Sequence, residues 1–260
     1  MENKIYELSV VLKEEETKSL FSNSPDSQPK RMESSDFEVM AKAMDEQNDQ
    51  REAVIKSARD VLKNAKRAIY DLHRAKTKSA ITQLENCAES CRRIAADAKK
   101  VGYPSHELFS GMYGECAEEL CEAYLFLNWL QSSKTPEEGG IFISPFSEFK
   151  GMIEITAQQY IGGLSDFTGE IGRYGVAQAT ARNQDEVRRV LDTMMEIQFY
   201  LREMRAILPN KTLKKLFAMG KNIEKMKYLL YEQVLLESRK SMKLSEAEIL
   251  DEKEEQSENA

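Results

Sequence analysis

Six carboxylates stand in two short runs of the 260-residue chain. Four of them, Glu115, Glu118, Glu119 and Glu122, belong to ECAEELCEAYLFLNWL. In a helix Glu115, Glu119 and Glu122 fall at i, i+4 and i+7 and share a face. Like charges at that spacing repel by about 0.2–0.5 kcal/mol per exposed pair, which a plain solvated stripe tolerates. However, Leu120, Ala123, Tyr124, Leu127 and Leu130 make much of the same helix apolar, so the acidic strip borders packed surface. Partly buried carboxylates need a cation. The second run, YIGGLSDFTGEIGR, sets Asp166 and Glu170 at i and i+4. Its glycines, Gly162, Gly163, Gly169 and Gly172, each cost a helix about 0.8–1 kcal/mol relative to Ala. Close approach of a neighbouring helix or of a ligand is the physical reason to keep them. Glu119, Glu122, Asp166 and Glu170 together offer the oxygen donors that suit Mg2+ or Mn2+. One or two such ions would act as Lewis acids and lower the pKa of a bound water. Glu118 and Glu115 are at most supporting groups, because Glu118 points about 100° away from Glu119 around the helix.

Other chemistries lack their parts. Carboxylate-bridged di-iron sites need Glu-x-x-His, but at that offset His73 follows Tyr70 and His106 follows Tyr103. Both histidines read as surface or interface residues. Cys87 and Cys91 share a helical face without a second pair, so burial is the better reading than zinc, and all four cysteines, with Cys116 and Cys121, read as reduced thiols. Phosphate-cradling glycine loops and nucleophile elbows are missing from the sequence.

A third feature is basic. Lys56, Arg59, Lys63, Lys66, Arg67 and Arg74 recur at helical spacing opposite an apolar face, and residues 55–79 hold eight Lys and Arg against two Asp. A solvated face explains such a stripe in many proteins. Here the uncompensated charge would also attract phosphates. The formal net charge of -7 hides this stripe, because residues 244–260 carry seven acids and one lysine. The rest of the chain is close to neutral, and Lys211, Lys214, Lys215, Lys221, Lys225 and Lys227 form a second basic helix with Glu224 the acid among them.

The elements that must position these groups read as helices throughout. Twelve glycines and six prolines are too few to punctuate a strand-and-turn protein. Between prolines the apolar residues recur with a 3.6-residue period, as at Val54, Ala58, Val61, Leu62, Ala65, Ile69 and Leu72. The reading is one all-α domain of about six or seven helices in a bundle. Helices are expected over about 37–74, 80–99, 105–131 with Ser105 as N-cap, 156–176, 184–208 and 211–243, and residues 132–155 form a loop. The helical domain spans 37–243. Residues 1–36 are read as a mostly disordered extension and 244–260 as an acidic disordered tail, although Leu244, Ile249 and Leu250 could prolong the last helix. No apolar run approaches a signal peptide or a membrane span, so secretion and membrane association are not expected.

YIGGLSDFTGEIGR resembles a motif of the translin family, Tyr-Leu-x-Gly-x-x-Asp-x-Thr-Gly-Glu-x-x-Arg. The match falls on Tyr160, Gly163, Asp166, Thr168, Gly169, Glu170 and Arg173. AEELCEA resembles the family's Leu-Gln-Glu-Tyr-x-Glu-Ala at Glu119, Glu122 and Ala123, and KRAIYDLHR from Lys66 to Arg74 is similar to the end of its first helix. The chain departs from the pattern at Leu120, Cys116 and Ala177, where Tyr, Gly and Asn are usual. Within the family the resemblance is strongest to the translin-associated factor X type, because translin lacks the aspartate that Asp166 supplies. It implies an all-helical subunit of a hollow, RNA-binding oligomer. It also implies a Mg2+- or Mn2+-dependent endoribonuclease acting on single-stranded or small RNA, as in passenger-strand removal during RNA silencing. The implied partners are a translin-like subunit or further copies of this chain, with RNA and, beside it, DNA as ligands. The implied location is the cytoplasm, with the nucleus as a second site. Lys30-Arg31 is all that remains of a basic import segment. The alternative is a non-catalytic subunit that binds nucleic acid or pairs with translin, its carboxylates serving packing alone.

Overall fold

A computed structural model describes residues 32–132 and 143–258, with side chains as far as Arg239. The chain divides into two units, residues 1–48 and 49–260. Among the described residues there are eight α-helices and no strand, the all-α architecture that the apolar period requires. They are α1 (Ser34–His73), α2 (Thr77–Lys100), α3 (Ser105–Ser110), α4 (Met112–Gln131), α5 (Phe146–Met152), α6 (Ala157–Thr180), α7 (Gln184–Glu203) and α8 (Asn210–Glu258). The 3-10 turn Arg205–Ile207 joins the last two. In the first unit the described residues form the leading turns of α1, where Phe37, Val39, Met40 and Met44 are exposed.

Within the second unit α4 is the central element. Twelve of its twenty residues are buried, including Tyr113, Leu120, Phe126 and Trp129, so little of its circumference meets water. It packs chiefly against α6, and α2 and α3 also rest on it, while α6, α7 and α8 pack on one another. α1 turns Ala58, Val61, Ala65, Ala68, Ile69 and Leu72 inward, the stripe read from the sequence, and the Cys87 thiol of α2 lies 3.7 Å from the Val61 carbonyl. All four cysteines are free and buried, as their helical setting suggested. Trp129 is fixed at the far end of α4. Its indole N–H donates to Thr193 Oγ1 at 3.1 Å, and the Arg189 guanidinium lies 3.9 Å from its ring centroid. Asn183 caps α7 by accepting from the Glu186 N–H, and Gln159 ties the start of α6 to α3 by donating to the Phe109 carbonyl at 2.9 Å.

Several boundaries differ from the sequence reading. The expected 105–131 helix breaks at Gly111, whose extended backbone (φ -97, ψ -158) separates α3 from α4, and Pro104 rather than Ser105 occupies the N-cap of α3. The 132–155 loop contains α5, which starts after Pro145. α7 ends at Glu203 and yields to the 3-10 turn before Pro209. Of the expected disordered extension, residues 1–31 lie outside the described residues, and α1 already begins at Ser34. The acidic segment from 244 continues α8 as helix to Glu258, the prolongation that Leu244, Ile249 and Leu250 allowed. Its Ala, Glu, Leu and Lys are strong helix formers, which outweighs the low apolar content.

The joint between α4 and α6 explains one glycine and leaves another unexplained by packing. A Cβ on Gly163 would stand 2.7 Å from the Glu118 carbonyl and 2.9 Å from Cys121 Cβ, so this residue must lack one. A Cβ on Gly169 would meet nothing within 4 Å. Gly163→Ala should therefore destabilise the chain by about 1–3 kcal/mol through overpacking. Gly169→Ala should stabilise it by about 0.5–1 kcal/mol through helix propensity. Urea denaturation of the two variants beside the parent protein checks both signs.

Candidate functional site

Where α4 and α6 meet, the two acidic runs face each other, with the end of α1 and the start of α8 alongside. Glu115 remains exposed and takes no part. Glu119 is half-buried, and Lys66 of α1 approaches its Oε2 to 3.8 Å. Burial lifts the Glu119 carboxyl above its ordinary range, Lys66 offsets part of that, and Asp166, Glu170 and Glu118 add to it. Asp166 accepts a hydrogen bond at 2.5 Å from Lys215 of α8. Burial still leaves the Asp166 carboxyl above its ordinary value. Glu170 accepts from His73 Nε2 at 2.6 Å and from Arg173 Nη1 at 2.7 Å. The imidazole of His73 also lies against Phe126, ring centroids 4.8 Å apart.

Glu122 is different. It is 6% exposed, and no hydrogen bond to it is formed among the described residues. Burial, then the charges of Glu119, Asp166 and Glu170, push its pKa up to about 9. Crowding and burial thus raise Glu119, Glu122 and Asp166 above their ordinary values, and Glu122, the most deeply buried, has no donor of its own among the described residues.

Glu118 belongs to this neighbourhood, contrary to the minor place the helical angle gave it. Its carboxylate accepts from Lys215 at 2.5 Å and from Lys211 at 3.0 Å and 3.2 Å. Burial would raise it, but those two ammonium groups outweigh burial and hold it below its ordinary value. Lys215 answers in kind: burial lowers its pKa, Asp166 and Glu118 raise it, and the net shift is upward.

Among the described residues no group of three or more His, Cys, Asp and Glu is arranged to hold a metal ion. The donor set nevertheless fits a hard divalent cation in its chemistry. All four groups are carboxylates, Glu122 lacks a hydrogen-bond donor, and an ammonium already fills a cation's place between Glu118 and Asp166. The structure therefore brings Glu119, Glu122, Asp166 and Glu170 into one electrostatic neighbourhood, with Asp166 and Glu170 engaged by protein cations.

Lys56, Arg59, Lys63, Lys66, Arg67 and Arg74 are all exposed along α1. Lys66 ties the stripe to the cluster at Glu119, and Arg74 turns aside to donate to Tyr70 at 2.9 Å. Sequence reading missed His73, Lys211 and Lys215. The signal was there: His73 lies four residues beyond the buried Ile69, and Lys215 falls three after the buried Thr212 and four before the buried Met219. Each is therefore on the inward face of its helix.

An all-helical subunit with an acidic cluster at the end of a basic helix is the class these features define. Residues 49–236 match the Translin family, and the chain belongs to that family. Its fold is similar to that in "Crystal structure of AfC3PO", with a TM-score of 0.60 and 22% identity, over 77% of this chain and 97% of that one. "Structure of AfC3PO - duplex RNA complex" gives 0.58 at the same identity and coverage. "Crystal structure of apo-NeC3PO" gives 0.62 at 17% identity, over 78% of this chain and 100% of that one. A search of curated proteins gave no match. No helix among the described residues is long and apolar enough to cross a membrane.

The position of Glu122 fixes a pH dependence. Its folded pKa of about 9 lies above the ordinary 4.5, so the unfolded chain releases this proton first. The neutral carboxyl is tolerated in the fold at low pH, and stability falls as pH rises from about 4.5 towards 9. Glu122→Gln should raise the Tm of the metal-free protein at pH 8 and flatten that decline, as thermal melts across pH 4.5–9 would record.

Proposed function

We propose that this chain is a Mg2+- or Mn2+-dependent endoribonuclease subunit of the translin-associated factor X type, cleaving single-stranded or small RNA within an oligomer. The assembly would contain a translin-like subunit or further copies of the chain. The observation that carries the reading is Glu122, a buried carboxylate without a hydrogen-bond donor, set among Glu119, Asp166 and Glu170. Burial keeps this carboxyl protonated to high pH, and a bound divalent cation would give its ionised form the partner it lacks. The duplex RNA named for AfC3PO supports RNA as the ligand class.

Glu119, Glu122, Asp166 and Glu170 would hold the ion. When bound, Mg2+ or Mn2+ supplies Lewis acidity towards the phosphodiester and the attacking water. His73 and Arg173 orient Glu170 through their hydrogen bonds to its Oε2. Lys66 stands between the acidic cluster and the rest of the α1 stripe, so a phosphate chain lying along Lys56, Arg59, Lys63 and Arg67 is led towards the carboxylates. Phosphate contacts of this kind give affinity with little base preference.

A second reading is favoured by the ion pairs themselves. Lys215 already neutralises Asp166 and Glu118, and His73 with Arg173 already serves Glu170. In that reading the chain binds RNA or pairs with translin without catalysis. Cleavage of single-stranded RNA by the purified chain, alone and in complex, separates the two. Asp166→Asn and Glu122→Gln should each abolish Mn2+-dependent cleavage while RNA binding persists, and EDTA should do the same to the parent. Cleavage that survives all three treatments would refute the metal-dependent reading, and an absence of cleavage in every preparation would leave the binding subunit.

The α1 stripe gives a separate expectation. Reversing charge at Lys63 and Arg67 together should weaken binding of every RNA sequence alike. Each lost single-strand phosphate contact should lower the slope of log affinity against log salt by about 0.7. Salt titrations monitored by fluorescence anisotropy read both effects, with helix content and oligomer size unchanged.

A further inference from the structure

Lys215 is built into the carboxylate cluster rather than laid over it. Thr212 and Leu216 beside it on α8 are buried, and its own side chain is 19% exposed. Its ammonium lies 2.5 Å from Glu118 Oε1, 2.5 Å from Asp166 Oδ2 and 3.4 Å from the Gly162 carbonyl. Three acceptors use the three N–H donors a lysine possesses. The seat depends on the local sequence. A Cβ on Gly162 would stand 2.5 Å from Glu118 Cδ, so glycine at this position is what lets the Glu118 carboxylate lie against α6. Lys211 provides the internal comparison. It reaches the same Glu118 carboxylate, makes no ion pair with Asp166 among the described residues, and is 64% exposed.

Asp166 is thus claimed twice, by the Lys215 ammonium and by the divalent ion assigned to the cluster. An Mg2+ or Mn2+ ligand oxygen sits about 2.0–2.2 Å from the metal, closer than any ammonium contact, and two such cations cannot crowd one carboxylate without strong repulsion. We infer that Lys215 is a resident counter-cation that competes with the divalent ion for Asp166. This rests on the metal-dependent reading above and adds a control to it. With the metal absent, Lys215 neutralises Glu118 and Asp166 and holds the cluster together. Metal entry requires the ammonium to withdraw from Asp166, and its flexible four-carbon stem permits that movement without displacing α8. Glu118, which also has Lys211, keeps a partner when Lys215 leaves.

The test is the Mn2+ affinity of the full-length chain, read from the electron paramagnetic resonance signal of free Mn2+, without RNA. Lys215→Met and Lys215→Gln should each bind Mn2+ at least about tenfold more tightly than the parent. Lys211→Met removes the same charge a few ångströms away and should change affinity by less than about threefold. Circular dichroism confirms folding, and Lys215→Gln, which still donates hydrogen bonds, decides the matter where Lys215→Met does not fold. Parent binding that Glu122→Gln removes, together with Lys215 variants no tighter than Lys211→Met, overturns the competition and leaves the metal site standing. Failure of the parent and of both Lys215 variants to bind Mn2+ overturns both. Binding by the Lys215 variants where the parent shows none supports the competition in its strongest form.

Discussion

Gly163 lets the backbone of α6 approach the Glu118 carbonyl and Cys121 on α4, and the acidic cluster exists because of that contact. With a Cβ in the way the two helices would separate by a good part of an ångström. The carboxylates of α4 would then lose their proximity to those of α6. The same closeness has an electrostatic cost, because it drives Glu119, Glu122 and Asp166 to higher pKa values against burial and one another. Packing and charge thus oppose each other at this joint. The fold resolves the conflict by drawing in cations from two other helices, Lys66 from α1 and Lys211 and Lys215 from α8, with the His73 imidazole hydrogen-bonded to Glu170.

Those cations are unevenly shared. Glu118 receives two and Glu170 is served by His73 and Arg173, while Glu122 receives no hydrogen bond among the described residues. A cluster shaped by stability alone would distribute its counter-charges towards the most buried acid, where desolvation is greatest. Here Glu118 and Glu170, 14% and 12% exposed, are the best-paired carboxylates, while Glu122, the most buried at 6%, receives no hydrogen bond among the described residues. That ordering is what makes the interior of the cluster receptive to a further positive charge.

The helices were legible because their apolar residues keep one period over long spans, and the inward stripe of α1 from Ala58 to Leu72 is the clearest case. The four carboxylates were legible because two acidic pairs at i+3 or i+4 sat inside apolar or glycine-rich helix. What escaped was cross-helix pairing. His73 and Lys215 have ordinary neighbours in sequence, and their partners Glu170 and Asp166 lie 97 and 49 residues away. Glu118 was demoted by helical angle alone, an argument that holds for one helix facing one ion and fails when lysines of α8 approach from another side. The break at Gly111 escaped because glycine is tolerated within a helix about as often as it ends one, and only the extended backbone there decides the matter.

α8 carries its charge the wrong way round. Lys211 and Lys215 lie in its first two turns, and the acids from Glu246 to Glu258 lie towards its end. The peptide dipoles of a helix place partial positive charge at its amino end, so Lys211 and Lys215 oppose the macrodipole there. The opening turns of α8 therefore draw on Glu118 and Asp166 across the interface, beside the burial of Thr212 and Leu216, to offset that opposition. An acidic cluster at the α4–α6 joint thus also acts as the amino-terminal anchor of a neighbouring helix, and any event that empties the cluster of carboxylate charge loosens the start of α8 along with it.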